Sequence, residues 1–119
     1  MAEPIANPGL TAFVEPLATT GETSRKTTLV KTAQVEILQL IVPAGRDVPT
    51  HQAQGEVVVH CLEGRVAMYA AGKTYDLQPG QLLHLSLDDQ FSIRGIDNAS
   101  VLVTLIAAKT GGSIELIGG

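Results

Sequence analysis

From Thr27 onward no apolar run of this chain lasts long, because each is cut after a few residues by Gly, Pro or an acidic or amide residue. The breakers are Pro43-Ala44-Gly45, Glu63-Gly64, Ala71-Gly72, Pro79-Gly80, Asp88-Asp89, Asp97-Asn98 and Gly111-Gly112. An amphipathic helix needs about 10–12 uninterrupted residues, and this punctuation leaves little room for one. The pieces between the breakers are rich in Val, Ile and Thr and predict strands. These are Thr27–Thr32, Val35–Val42, Glu56–Leu62, Arg65–Ala70, Lys73–Leu77, Leu82–Ser86, Phe91–Arg94, Ser100–Ala108 and Ser113–Ile117. The stretch Thr32 to Val42 also fits one face of a helix through Ala33, Ile37, Leu40 and Ile41. Pro43 directly after it and the β-branched Val35, Ile37, Ile41 and Val42 favour a strand. Val57-Val58-Val59 and Val101 to Leu105 are apolar on both faces, which places them inside a sandwich or under a partner subunit. The expected fold class is all-β, a closed or double-sheet barrel.

At 119 residues the chain makes one domain. Residues 1–26, with Pro4, Pro8, Gly9, Pro16 and Gly21, form an extended arm, and residues 27–119 form the domain proper. Hydrophobic residues make up 45% and charged residues 17%, enough to bury a core. The net charge of −4, with Lys and Arg scattered, argues against nucleic-acid and anionic-membrane partners. Apolar runs such as Leu105-Ile106-Ala107-Ala108 fall far short of the ~20 residues of a membrane-spanning helix. The first residues lack the basic and apolar regions of a secretory signal, so a cytoplasmic location is expected. The single cysteine, Cys61, is expected to be reduced and buried. Strands apolar on both faces also predict a homodimer, its interface using one sheet and the arm around residues 8–20.

The segment from Pro43 through His51, Gln52, Ala53, Gln54, Gly55 and Glu56 to Leu62-Glu63-Gly64-Arg65-Val66 resembles the first motif of the small cupins. The run Leu77-Gln78-Pro79-Gly80-Gln81-Leu82-Leu83-His84-Leu85, continuing to Ser100-Val101-Leu102, looks like the second. The resemblance spans about residues 27–108 and implies an RmlC-like jelly roll, the double-stranded β-helix, with a cavity between its sheets. In active members it implies a divalent metal held by two His and one Glu of the first motif and one His of the second. Three imidazoles and a carboxylate suit iron, manganese, nickel, copper or zinc.

The motif positions of this chain depart from that pattern. His51 keeps the family's spacing from Gly45, but Ala53 stands at the second His. Val57 stands where the Glu is expected, six residues before Gly64. In the second motif Ser86 and Asp88 replace Pro and Gly, Phe91 replaces the His ligand and Gly95 the usual Asn. Glu56 is one residue from the Glu position, and a slip of one residue in a strand turns the side chain to the other face unless a bulge, here at Gly55, turns it back.

His51 reads either as a surface histidine in the turn after Pro49 or as a cavity residue that binds a metal or an anion. His60 shares parity with Glu56 and opposes Val57, Val59 and Cys61 in parity, so it points outward if Val57 points inward. His84 reads as a half-buried imidazole within its strand. With Ala53, Val57 and Phe91 in place of ligands, the cavity becomes apolar, its polar groups supplied by His51 and by Tyr69 or Tyr75, near Met68.

Three functional readings follow. The first is a small-molecule-binding or regulatory module, with His51, Ala53, Val57, Phe91 and Tyr69 lining the cavity and no cofactor. The second is a metal-dependent enzyme of dioxygenase or isomerase type, holding one divalent transition metal through His51, Glu56 and one of His60 or His84. The third is metal-free isomerisation with His51 as base, for which the sequence offers no obvious orienting carboxylate.

Overall fold

The computed structural model describes residues 3–17, 24–52, 55–87 and 90–107, and among them the chain forms nine strands and no α-helix. In chain order they are β1 (Arg25–Lys31), β2 (Val35–Val42), β3 (Asp47–Gln52), β4 (Gly55–Glu63), β5 (Val66–Ala70), β6 (Lys73–Leu77), β7 (Leu82–Leu87), β8 (Gln90–Gly95) and β9 (Ala99–Ala107). The strand expected at Ser113–Ile117 lies outside the described residues. No helix of the described chain is long and apolar enough to cross a membrane.

The strands pair antiparallel in two sheets, a five-stranded one in the order β1-β2-β9-β4-β7 and a four-stranded one in the order β3-β8-β5-β6. The segment Thr32 to Val42 resolves as the strand Val35–Val42, paired residue for residue with β9 from Val35 opposite Ile106 to Val42 opposite Ala99. β3 stands where the sequence predicts a turn. Pro49 would not be tolerated in an interior strand, but β3 lies at a sheet edge, where a missing N–H costs no ladder bond. Its pairing with β8 shifts between Val48 and His51, across Pro49.

Alternation along each strand decides what fills the space between the sheets. The five-stranded sheet contributes Leu38, Leu40 and Val42, Val57, Val59 and Cys61, and Ala99, Val101 and Val103. The other sheet answers with Val48, Val66, Met68, Ala70, Leu77, Phe91 and Ile93, all in one buried cluster. Each large apolar side chain removed from water in this way contributes about 1.5–3 kcal/mol, so the sandwich is held chiefly by these two facing rows. Cys61 belongs to them: it is a free, buried thiol whose Sγ lies 3.7 Å and 3.6 Å from the carbonyl oxygens of Glu63 and Gly64, and burial raises its pKa.

Two glycines mark where the backbone crosses itself too closely for a side chain. A Cβ on Gly64, at φ +77°, would lie 2.0 Å from the carbonyl oxygen of Asn98, so the β4–β5 turn presses on the β8–β9 turn. At Gly95, where the cupin motif has Asn, a Cβ would lie 2.3 Å from the Pro43 carbonyl oxygen. The Gly95 N–H instead donates to Arg46 O at 2.9 Å, and its carbonyl accepts from Gly45 N at 2.8 Å.

The arm folds back on its own domain. Ile5 bridges Val30 in parallel, accepting from Lys31 N at 2.8 Å and donating to Leu29 O at 2.9 Å. Further along, Glu15 is clasped by the side chain of Gln39 on β2. The amide Oε1 of Gln39 accepts from Glu15 N at 2.9 Å, and its Nε2 donates to Glu15 O at 2.9 Å and to Ser100 Oγ at 3.0 Å. Gln39 and Ser100 are both buried. Three of the amide's four hydrogen-bonding positions are thereby filled, which removes most of the cost of burying it. Arg25 adds an ion pair to Glu15 at 2.8 Å, and Leu17 N donates to Glu63 Oε2 at 3.0 Å.

Candidate functional site

The cupin ligand positions map onto the strands that face each other across the sandwich. On β4 the inward row is Val57, Val59 and Cys61, and Val57 is 0% exposed, opposite Leu85 of β7 and Leu105 of β9. On β8, Phe91 is 2% exposed and pairs with His51 of β3 on one side and Ala70 of β5 on the other. Val57 and Phe91, expected to line an apolar cavity, are packed in the core, and neither side chain has surface left for a ligand to touch. Ala53 lies outside the described residues, and His51 is placed by the backbone of β3, beside Phe91.

The bulge that would turn Glu56 inward does not form. The register of β4 runs unbroken from Gly55 opposite Leu87 to His60 opposite Leu82, and the irregularity against β9 falls at the other end, between Cys61 and Glu63. Alternation therefore sends Glu56 to the outer face, where its Oε1 lies 2.8 Å from His84 Nε2. Both are exposed. The expectation of a half-buried His84 is corrected as well: the outward row of β7 is Leu82, His84 and Ser86, and none of the three is covered. His60 shares the outward parity of Glu56 on β4 and is only partly covered.

Tyr69, expected near the cavity, points away from it. On β5 the inward residues are Met68 and Ala70, and Tyr69 between them is 39% exposed. The tyrosine that does pack against the core is Tyr75, opposite Met68 on β6.

At two of the positions where the cupin motif places metal donors this chain has Val57 and Phe91, which supply no N or O donor. The carboxylate of Glu56 and the imidazole of His84 bind each other on the opposite face. Among the described residues no three His, Cys, Asp or Glu side chains gather as metal donors would.

Open space lies at one end of the five-stranded sheet. A cleft of about 230 Å³ is bounded by the β1–β2 turn from Lys31 to Val35, by Glu36 and Glu56, and by Leu105 to Ala107. Its character is mixed. Lys31 Nζ reaches Glu36 Oε1 at 3.3 Å on one wall, Glu56 stands on another, and Val35, Leu105, Ile106 and Ala107 are the apolar remainder. In the turn Thr32 Oγ1 accepts from Gln34 N at 3.2 Å and from Val35 N at 3.0 Å, so the rim is held by its own hydrogen bonds. Of its residues the sequence pointed to Glu56 alone, because the others come from β1, β2, the turn between them and β9 and belong to no ligand motif.

No protein-family model matches the chain, and no curated protein matches its sequence. Solved structures match it over most of its length. A conserved protein of unknown function from Streptococcus pyogenes aligns with TM-score 0.72 at 18% identity, covering 92% of this chain and 100% of that one. An RmlC-like cupin with a double-stranded β-helix fold from Methanocaldococcus jannaschii aligns with TM-score 0.65 at 18% identity, over 83% of this chain and 94% of that one. A salicylate 1,2-dioxygenase from Pseudoaminobacter salicylatoxidans aligns with TM-score 0.62 at 16% identity, over 74% of this chain but 27% of the enzyme. At such identities the likeness is one of fold, and the fold is the cupin double-stranded β-helix.

Proposed function

We propose that this chain is a small-molecule-binding module on a cupin scaffold, without the standard metal centre, and that its ligand sits in the cleft at the end of the five-stranded sheet. The observation that carries the reading is the packing of Val57 and Phe91 into the core at the positions where ligand donors are expected. With Val57 and Phe91 packed, the cleft offers a ligand two carboxylates and an ammonium beside an apolar wall. At about 230 Å³ it is smaller than the ~300–1,000 Å³ of drug-sized sites. It therefore suits a metabolite of few heavy atoms, with a hydrogen-bond-donating head for Glu36 and Glu56 and an apolar part for Ile106 and Ala107. The likeness to a dioxygenase bears on the scaffold alone, because one fold carries many unrelated activities.

The test pairs a thermal-shift screen of small amines and carboxylic acids with elemental analysis of protein purified without chelator or nickel resin. Compounds with donor heads should raise the melting temperature of the wild type, and the rise should vanish in Glu56→Ala while the unliganded melt stays where it was. Metal near one equivalent per chain, lost in His51→Ala, would overturn the reading in favour of a metal-dependent enzyme with His51 as a ligand.

A further inference from the structure

Each sheet has two edges, and a strand at an edge presents a row of unpaired N–H and C=O groups that will template pairing with another chain unless something blocks it. Three of the four edges here are blocked. Strand β1 carries Arg25, Lys26 and Lys31 and is bridged by Ile5 of the arm. Strand β3 carries Pro49 and a register shift, with Asp47 paired to Arg94. Strand β6 carries Lys73 and Asp76, the latter paired to Arg65.

The fourth edge, β7, has none of these devices. Its sequence Leu82-Leu83-His84-Leu85-Ser86-Leu87 contains no Pro, Asp, Glu, Lys or Arg, and its register with β4 is free of bulges. Beyond β4 no strand of the described chain runs beside it. Leu82 stands 65% exposed at its start, an unusual place for a leucine with nothing over it.

We infer that β7 is a self-association edge, and that its occupant is β7 of a second copy, joined antiparallel across a two-fold axis into one continuous ten-stranded sheet. Charge permits this partner, because β7 itself carries no acidic residue and the one carboxylate against it, Glu56, is paired with His84 at 2.8 Å. Geometry favours it, because an antiparallel strand pairs with itself and the contact closes at two subunits. A two-fold axis normal to the sheet keeps inward residues against inward ones. The register centred on His84 meets that condition, with Leu82 opposite the second copy's Ser86, Leu83 opposite its Leu85, and the two His84 facing. The inference is independent of what the cleft binds.

Light scattering should give a dimer mass for the wild type, and a monomer mass for the double substitution Leu82→Lys, Ser86→Lys at the same concentration, with an unchanged far-ultraviolet spectrum. Both positions are exposed, so the substitutions meet no core. A wild-type monomer, or a folded double variant that remains dimeric, would overturn the inference. Should the double variant fail to fold, His84→Cys decides alone. Its thiols would face each other at the axis, so mild oxidation should give a covalent dimer on a non-reducing gel, while the buried Cys61 of the wild type gives none. No covalent dimer from His84→Cys would overturn the assigned edge.

Discussion

The two faces of β4 are built from adjacent residues and have little else in common. Inward, Val57, Val59 and Cys61 are sealed in the core. Outward, Glu56 holds His84 in an exposed pair, and Val58, His60 and Leu62 are partly open. A single step along the chain thus separates a carboxylate that meets water from a methyl group that never does. The lesson concerns how a motif is read: in a strand, one residue of offset is a change of face, so a near match to a ligand pattern lies as far from the site as a mismatch.

The sharpest way to break that contrast is to exchange the two neighbours. The double substitution Glu56→Val, Val57→Glu keeps the composition but drives a carboxyl into the core without a partner, at a cost of about 4 kcal/mol or more. The expected outcome is loss of the cooperative unfolding transition in urea, and a transition close to the wild type's would show that the inner row is not packed as described.

A second contrast on the outer face is between Gln39, which is buried beneath the arm, and Glu56, which is exposed. Gln39→Ala leaves the N–H and C=O of Glu15, both partly buried, without their partners, at a cost of about 1 kcal/mol each. The midpoint in urea should fall accordingly, and limited proteolysis should cut between Leu10 and Leu17 in the variant before the wild type. Equal cutting rates would show that the amide clasp does not hold the arm.

The smallest effect is electrostatic. The hydrogen bonds from Arg65 hold the Asp76 carboxyl below its ordinary range, and its charge raises the pKa of Arg65 in turn. A depressed folded-state value means that the pair's contribution is present above the unfolded carboxylate pKa of about 3.9 and is lost as pH falls through the folded value. Both side chains are exposed, so the readout is the titration itself. Carbon-detected NMR should place the Asp76 midpoint below that of an unfolded Asp, and Arg65→Ala should move it up.

Much of the sheet pattern was legible because burial writes itself into β-branched runs. β2 and β6 fall at the expected Val35–Val42 and Lys73–Leu77. β3 was hidden because its Asp, Pro, His and Gln imitate a turn, and only its edge position makes that composition compatible with a strand. The departure of Val57 and Phe91 from the ligand pattern was readable, but that both side chains would be packed into the core was not. Whether two facing apolar rows touch or stand apart depends on sheet separation, which no local pattern encodes. The arm's attachment did leave a trace: Gln39 is the one polar residue in Ile37-Leu38-Gln39-Leu40-Ile41-Val42, and an amide in such a run needs a partner.

The place of β9 has a consequence for synthesis. It lies in the middle of the five-stranded sheet, between β2 and β4, yet it is the last described strand to leave the ribosome. Until residues 99–107 emerge, β2 and β4 each present an open edge with nothing to pair against, and pairings so distant along the chain form slowly. The nascent chain therefore passes through a stage in which two strand pairs, β1–β2 and β4–β7, wait for a shared keystone. A ribosome stalled just before Ala99 should hold a protease-sensitive, chaperone-dependent chain, and one stalled with β9 clear of the exit tunnel should hold a closed sandwich.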